Sequence, residues 1–148
     1  EYLPVQGVPF APPDDATEAP RLVDGYVGIM DGMDVRTVDG VATRRGPATY
    51  WFRMRAPLVD DEPVDPRSTA LMAADFGNGI SSVVPIDTHL FINPDLTVYL
   101  HRPPVGEWVA NEARTWLHPG VASVAEATLW DRTGPIGQAT QSLYVAPR

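Results

Sequence analysis

One helix-forming stretch set among strand-forming ones limits the possible folds of this chain more than any other feature. LVDDEPVDPRSTALMAADFGNG carries Asp65, suited to cap a helix N-terminus, and Pro66, suited to the first helical position. Gly77 and Gly79 are expected to stop the helix after about three turns. Ala70, Ala73, Ala74 and Gly77 give it a face of small residues, against which a sheet can pack closely. Before it, YVGIMDGMDVRTV and GPATYWFRMRAPL read as strands. The second places Tyr50, Phe52 and Met54 on one face and Trp51, Arg53 and Arg55 on the other. After it, a crossover through SSVVPIDTHLFINP leads to DLTVYLHR, EWVANEARTWLHP, VASVAEATLWD and PIGQATQSLYV. The separators Pro103-Pro104-Val105-Gly106, Pro119-Gly120 and Asp131-Arg132-Thr133-Gly134 suit successive antiparallel hairpins. The economical layer solution is α+β, a curved antiparallel sheet wrapped around one central helix.

Residues 1–24 carry Pro4, Pro9, Pro12, Pro13 and Pro20 and read as an extended linker, or as an arm packed along the domain through Leu3, Val5 and Phe10. Residues 25–148 form the expected domain, and 148 residues suffice for a real core. The net charge of −8 argues against nucleic acid, whose phosphates require clustered cations. Every basic residue is arginine, so a phosphate-bearing ligand must be held by Arg or by backbone amides. The absence of cysteine excludes disulfides, thiolate metal sites and a cysteine nucleophile. No apolar run is long enough to span a membrane, and the N-terminal segment lacks the basic and apolar regions of a signal peptide, so the expected location is cytoplasmic.

Most familiar chemistries find no support. There is no GxSxG, no GxGxxG after a strand, no P-loop and no HExxH, and His89, His101 and His118 lie on separate segments. No metal and no cofactor are expected. Trp51, Trp108, Trp116 and Trp130 read as packing residues, and Arg53 and Arg55 as a solvated strand face. Two polar groups stand against local preference. Gln141 falls on the strand face that also carries Gly137, Ala139, Leu143 and Val145, where an unpaired amide would cost about 1–3 kcal/mol. Asp75 lies late in the helix, at the negative end of the helix dipole. Chemistry by an oriented water needs a carboxylate base, an amide that holds the water or the base, and a group that fixes the carboxylate. Asp75 and Gln141 suit the first two roles. Asn93, Asp95 and Thr97, alternating onto one side before the next strand, are candidates for the third, although Asn93-Pro94 also suits an ordinary turn.

The strings GPATYWFRMRAPLVDDEPVDP, ALMAADFGNG, NPDLTVYLHRPP, GEWV and LWDRTGPIGQATQSLYVAPR resemble the C-terminal half of the acyl-CoA thioesterase II family, of double hot-dog fold, over about residues 25–148. The pieces are short, but they occur in the family's order and spacing. In that family an Asp on the hot-dog helix, a Thr or Ser before the following strand and a Gln on the last strand hold the hydrolytic water. The resemblance implies catalytic roles for Asp75, Asn93 and Gln141, with Asn93 standing where the family has a hydroxyl and Asp95 matching a family Asp.

The function so implied is hydrolysis of a fatty acyl-CoA to free acid and CoA. The alternatives are a non-catalytic acyl-CoA-binding or assembly module, and an enoyl-thioester hydratase or dehydratase, for which His89 or His101 would have to lie beside Asp75. The family's N-terminal hot-dog has no counterpart in these residues. The expected partner is therefore a second hot-dog domain, by self-association or from a separate N-terminal half.

Overall fold

The computed structural model describes residues 7–19, 28–39, 45–118 and 122–148. In chain order its elements are β1 (Thr17–Glu18), a 3-10 turn (Ile29–Gly32), β2 (Met33–Asp39), β3 (Ala48–Met54), α1 (Pro66–Asp75), α2 (Gly77–Ile80), β4 (His89–Ile92), β5 (Thr97–Leu100), β6 (Val109–Trp116), β7 (Ser123–Asp131) and β8 (Gly134–Pro147). The strands run β1-β2-β3-β6-β7-β8-β4 across one sheet, and β5 also pairs with β8.

α1 starts where its sequence indicates. The Asp65 carboxylate accepts the Arg67 N–H at 2.9 Å, and Pro66 follows in the first helical position, where a missing N–H costs nothing. Ala70, Ala73 and Ala74 are buried against Tyr50, Phe52, Val109, Leu129 and Ile136 of the sheet. The glycines do not stop the helix as expected. α1 ends at Asp75, Phe76 keeps right-handed helical angles, and Gly77–Ile80 form a further turn. Neither Gly77 nor Gly79 has positive φ, so neither makes the left-handed cap that ends many helices.

Three further expectations are corrected at the sheet. Residues 29–32 form the 3-10 turn, so the first predicted strand begins only at Met33, and part of its predicted span lies outside the described residues. The segment Pro103–Gly106 is no hairpin: β5 pairs with β8, while β6 pairs with β3 and β7. β8, at 14 residues, is long enough to accept β5 along one part of its edge and β4 along another. β4 itself lies in the stretch read as a crossover. The close approach of β5 depends on Gly137, where an added Cβ would stand 2.1 Å from the Tyr99 carbonyl oxygen. Gly137→Ala is therefore expected to destabilise the domain by about 1–3 kcal/mol, as other overpacked sites do. Urea unfolding measures this, and a change below about 0.5 kcal/mol, the scale of an ordinary surface substitution, would refute it.

The other face of the sheet is covered as well. Trp51, Trp108 and Trp130 are buried there with Ala110, and Phe10 of the N-terminal segment stands edge-on to Trp51 and Trp130, with ring centroids 5.7 Å from each. Trp51 Nε1 donates to the Ala11 carbonyl at 2.9 Å, and β1 pairs with β2. Leu3 and Val5 lie outside the described residues. Trp116 departs from the packing role expected of it: it is 56% exposed beneath the Arg114 guanidinium. Arg53 and Arg55 both pair with Asp34.

An ion pair ties the segment between β5 and β6 to the end of β7. Asp131, fully buried at the end of β7, accepts both terminal nitrogens of Arg102 at 2.5 and 2.8 Å, the Val105 N–H at 2.8 Å, and the N–H and hydroxyl of Thr133 at 2.7 Å each. Burial alone would raise its pKa. The bonds from Arg102, Thr133 and Val105 outweigh that and hold the carboxyl well below the usual carboxylate range.

Candidate active site

The helix end, one loop and the last strand meet at Asp75. α1 brings the carboxylate to the surface at its C-terminal end, where Asp75 is exposed. β8 carries Gln141 opposite Ala125 on the buried face of the sheet, and Gln141 is 1% exposed. Asn93 lies in the loop between β4 and β5. Its Nδ2 donates to Asp75 Oδ1 at 3.0 Å. Gln141 Nε2 donates to the Asp75 backbone carbonyl at 3.1 Å and more weakly to Oδ1 at 3.4 Å. One carboxylate oxygen is thus held by two amides, and Oδ2 has no hydrogen-bond partner among the described residues. Such an arrangement holds a carboxylate in place and leaves one of its oxygens able to accept a proton.

Asp95 and Thr97 are not brought to Asp75. Asp95 instead accepts the Ser142 N–H at 2.8 Å and its hydroxyl at 2.5 Å. The reason lies in the sheet edge. β4 pairs with β8 only as far as Tyr144, and β5 takes over at Thr140, so the Ser142 N–H between them would otherwise lack a strand partner. Thr97 is exposed within β5 opposite Thr140. His89 meets Thr88 at 2.9 Å and His101 meets the Pro135 carbonyl at 3.1 Å. Among the described residues no cluster of His, Cys, Asp or Glu could hold a metal ion.

Two polar side chains at the site escaped the sequence reading. Asn78, in α2, gives its backbone N–H to Gln141 Oε1 at 3.0 Å and its Nδ2 to Asn93 Oδ1 at 3.3 Å. It stands between two glycines read as a helix stop, which concealed it. Asn111, fully buried on β6, donates Nδ2 to the Ala73 carbonyl at 2.5 Å, while its Oδ1 has no partner among the described residues. The signal was available: Asn111 alternates with the inward-facing Val109 and Ala113, the same anomaly that marked Gln141.

A curved antiparallel sheet wrapped on one helix, with a carboxylate at the helix end held by amides from the loop and the last strand, defines a hot-dog domain with a carboxylate–amide site. Solved structures of the same fold include acyl-CoA thioesterase II TesB2 from Mycobacterium marinum, which is 17% identical with a TM-score of 0.68 over 100% of this chain and 58% of that one. A tesB protein of Mycobacterium avium subspecies paratuberculosis is 16% identical with a TM-score of 0.64 over 99% of this chain and 56% of that one. A conserved protein of unknown function with a hot-dog fold from Alicyclobacillus acidocaldarius is 16% identical with a TM-score of 0.66 over 99% and 56%. The chain spans a little over half the length of these three. No curated protein matches it by sequence. The signature of the acyl-CoA thioesterase C-terminal domain matches residues 5–145, and the chain belongs to that family.

Proposed function

We propose that this domain is the catalytic part of a thioester hydrolase that splits a fatty acyl-CoA into free acid and CoA. The observation that carries the reading is the division of labour at Asp75, with Oδ1 held by Asn93 and Gln141 and Oδ2 without a partner among the described residues. In this reading Asp75 Oδ2 accepts a proton from a water as that water attacks the thioester carbonyl carbon. Collapse of the tetrahedral adduct breaks the carbon–sulfur bond, and the proton returns to the departing thiolate. Asn93 takes the place of the family's hydroxyl, since an amide N–H donates to a carboxylate as an O–H does. Gln141 orients the carboxylate from the sheet side and borders the place where the water would stand.

The proposed partner is a second hot-dog domain, from another copy or from a separate N-terminal half. Its support is the greater length of the matched structures, and the edge formed by β4 and β5, where Ile92 and Tyr99 are 51% and 72% exposed. A cytoplasmic site of action belongs to the same reading; no described helix is long and apolar enough to cross a membrane. The bonding of His89 and His101 to other groups weighs against a hydratase.

The test is thiol release from a panel of short- to long-chain acyl-CoAs, with and without a candidate N-terminal half. Gln141→Ala is expected to lower turnover about tenfold to a hundredfold, the scale of a misplaced catalytic group. Absence of release from a folded assembly that still binds acyl-CoA would replace this reading with the binding module.

A further inference from the structure

We propose that Asn78 is a positioning residue that sets which end of the Asn93 and Gln141 amides faces Asp75; the inference rests on the hydrolase reading above. A primary amide is nearly symmetric in shape, and rotation by half a turn exchanges a donor for an acceptor at little steric cost. Asn93 and Gln141 serve Asp75 only with their NH2 groups turned toward it. The four residues form a closed ring that enforces this. Asp75 has only acceptors, so it calls for donors from both neighbours. The Asn78 backbone N–H is only a donor, so Gln141 must present Oε1 to it at 3.0 Å and Nε2 to Asp75. Asn93, with Nδ2 on Asp75, presents Oδ1 to Asn78, which meets it with Nδ2 at 3.3 Å.

The ring is built tightly. Asn78 is 8% exposed and Gln141 1%, so water competes poorly for the bond between them. Gly77 stands so close to Gln141 that an added Cβ would be 3.2 Å from Oε1, which leaves little room for any other side chain to hold that oxygen. The interrupted helix now has a purpose: α2 resumes after Phe76 with the Asn78 N–H aimed at the sheet and its side chain aimed at the β4–β5 loop.

Asn78→Asp tests the ring with almost no change of shape. A carboxylate at 78 would accept from Asn93 rather than donate to it, turning the Asn93 carbonyl toward Asp75. The expected result is a kcat about tenfold to a hundredfold lower with KM within about twofold, since an orienting contact is lost and no binding contact is touched. Asn93→Thr supplies the control, because a hydroxyl rotates freely and can donate to Asp75 without help from Asn78. In that background Asn78→Asp is expected to cost less than about threefold. A residue that merely supported the helix would cost the same in both backgrounds, and that outcome overturns the proposal. The side-chain amide resonances of Asn93 and Gln141 provide a readout independent of turnover. The Asn93 pair is expected to shift strongly in Asn78→Asp, and unmoved resonances also overturn the proposal. Shifted resonances in a protein that never releases thiol would instead remove the hydrolase reading while leaving the ring in place.

Discussion

Asp75→Asn is expected to lower thioester hydrolysis by about 10²–10⁴-fold, the range that a positioned base contributes. The substitution is nearly silent for the fold. An asparagine at 75 keeps one oxygen able to accept from Asn93 and Gln141, and its exposed position adds no buried group. What changes is the atom in the place of Oδ2, which becomes an NH2 that cannot accept a proton. Turnover should fall while the midpoint of thermal unfolding moves by no more than about 1–2 °C, the shift expected for a surface change of a few tenths of a kcal/mol. Initial rates of thiol release and a melting curve on the same preparation settle both parts. Retained activity would show that the hydrolytic water is activated elsewhere.

Arg102→Met should destabilise the fold strongly although it lies outside the site. It leaves the Asp131 carboxylate buried with only neutral donors, from Val105 and Thr133. Loss of one member of a buried pair costs about 3–5 kcal/mol; Arg102 keeps 28% of its side chain exposed, and solvent screening puts the cost near the lower end, about 3 kcal/mol. Urea unfolding measures it. Replacing both residues, as in R102M with D131L, should recover much of the loss, because no charge is then left buried. Equal destabilisation in the single and double variants would mean that the loop geometry, not the ion pair, carries the stability.

The same pair sets an acid limit. The folded-state pKa of Asp131 lies below the 3.8 of an ordinary aspartate, so the folded chain releases this proton more readily than the unfolded chain. Its contribution is therefore full above the unfolded value and is lost as pH falls through the folded one. Asp131→Asn should accordingly flatten the decline in stability below about pH 4.

Much of the candidate site is legible in the sequence. Asp75 and Gln141 stood out because each is polar where its own element offers it nothing, and an amide on a buried strand face needs a partner. Alternation put Asn93 forward beside Asp95 and Thr97, and resemblance to a family singled it out. Asp95 and Thr97 had equal claims by alternation, and the distinction came from the break between β4 and β5, which draws Asp95 to Ser142. Asn78 was missed because glycines on both sides resemble a stop signal. The left-handed angles that would have made them one are absent.

Local signals determined the helix start and most of the longer strands. The Asp65-Pro66 start, the small-residue face of α1, the alternation of β3 and the turn joining β7 to β8 all depend on neighbours a few residues away, within reach of propensity and period; the turn expected at Pro119-Gly120 lies outside the described residues. Which edge a short strand joins does not. β5 could have followed its turn onto β6 but instead lies on β8, because β8 is long enough to hold it and Gly137 leaves room for its backbone. The amide ring depends on that choice in turn, since Asn78 meets a glutamine 63 residues further along the chain. Partners so distant are decided by packing, because only the assembled sheet and helix bring the two backbones within hydrogen-bonding distance.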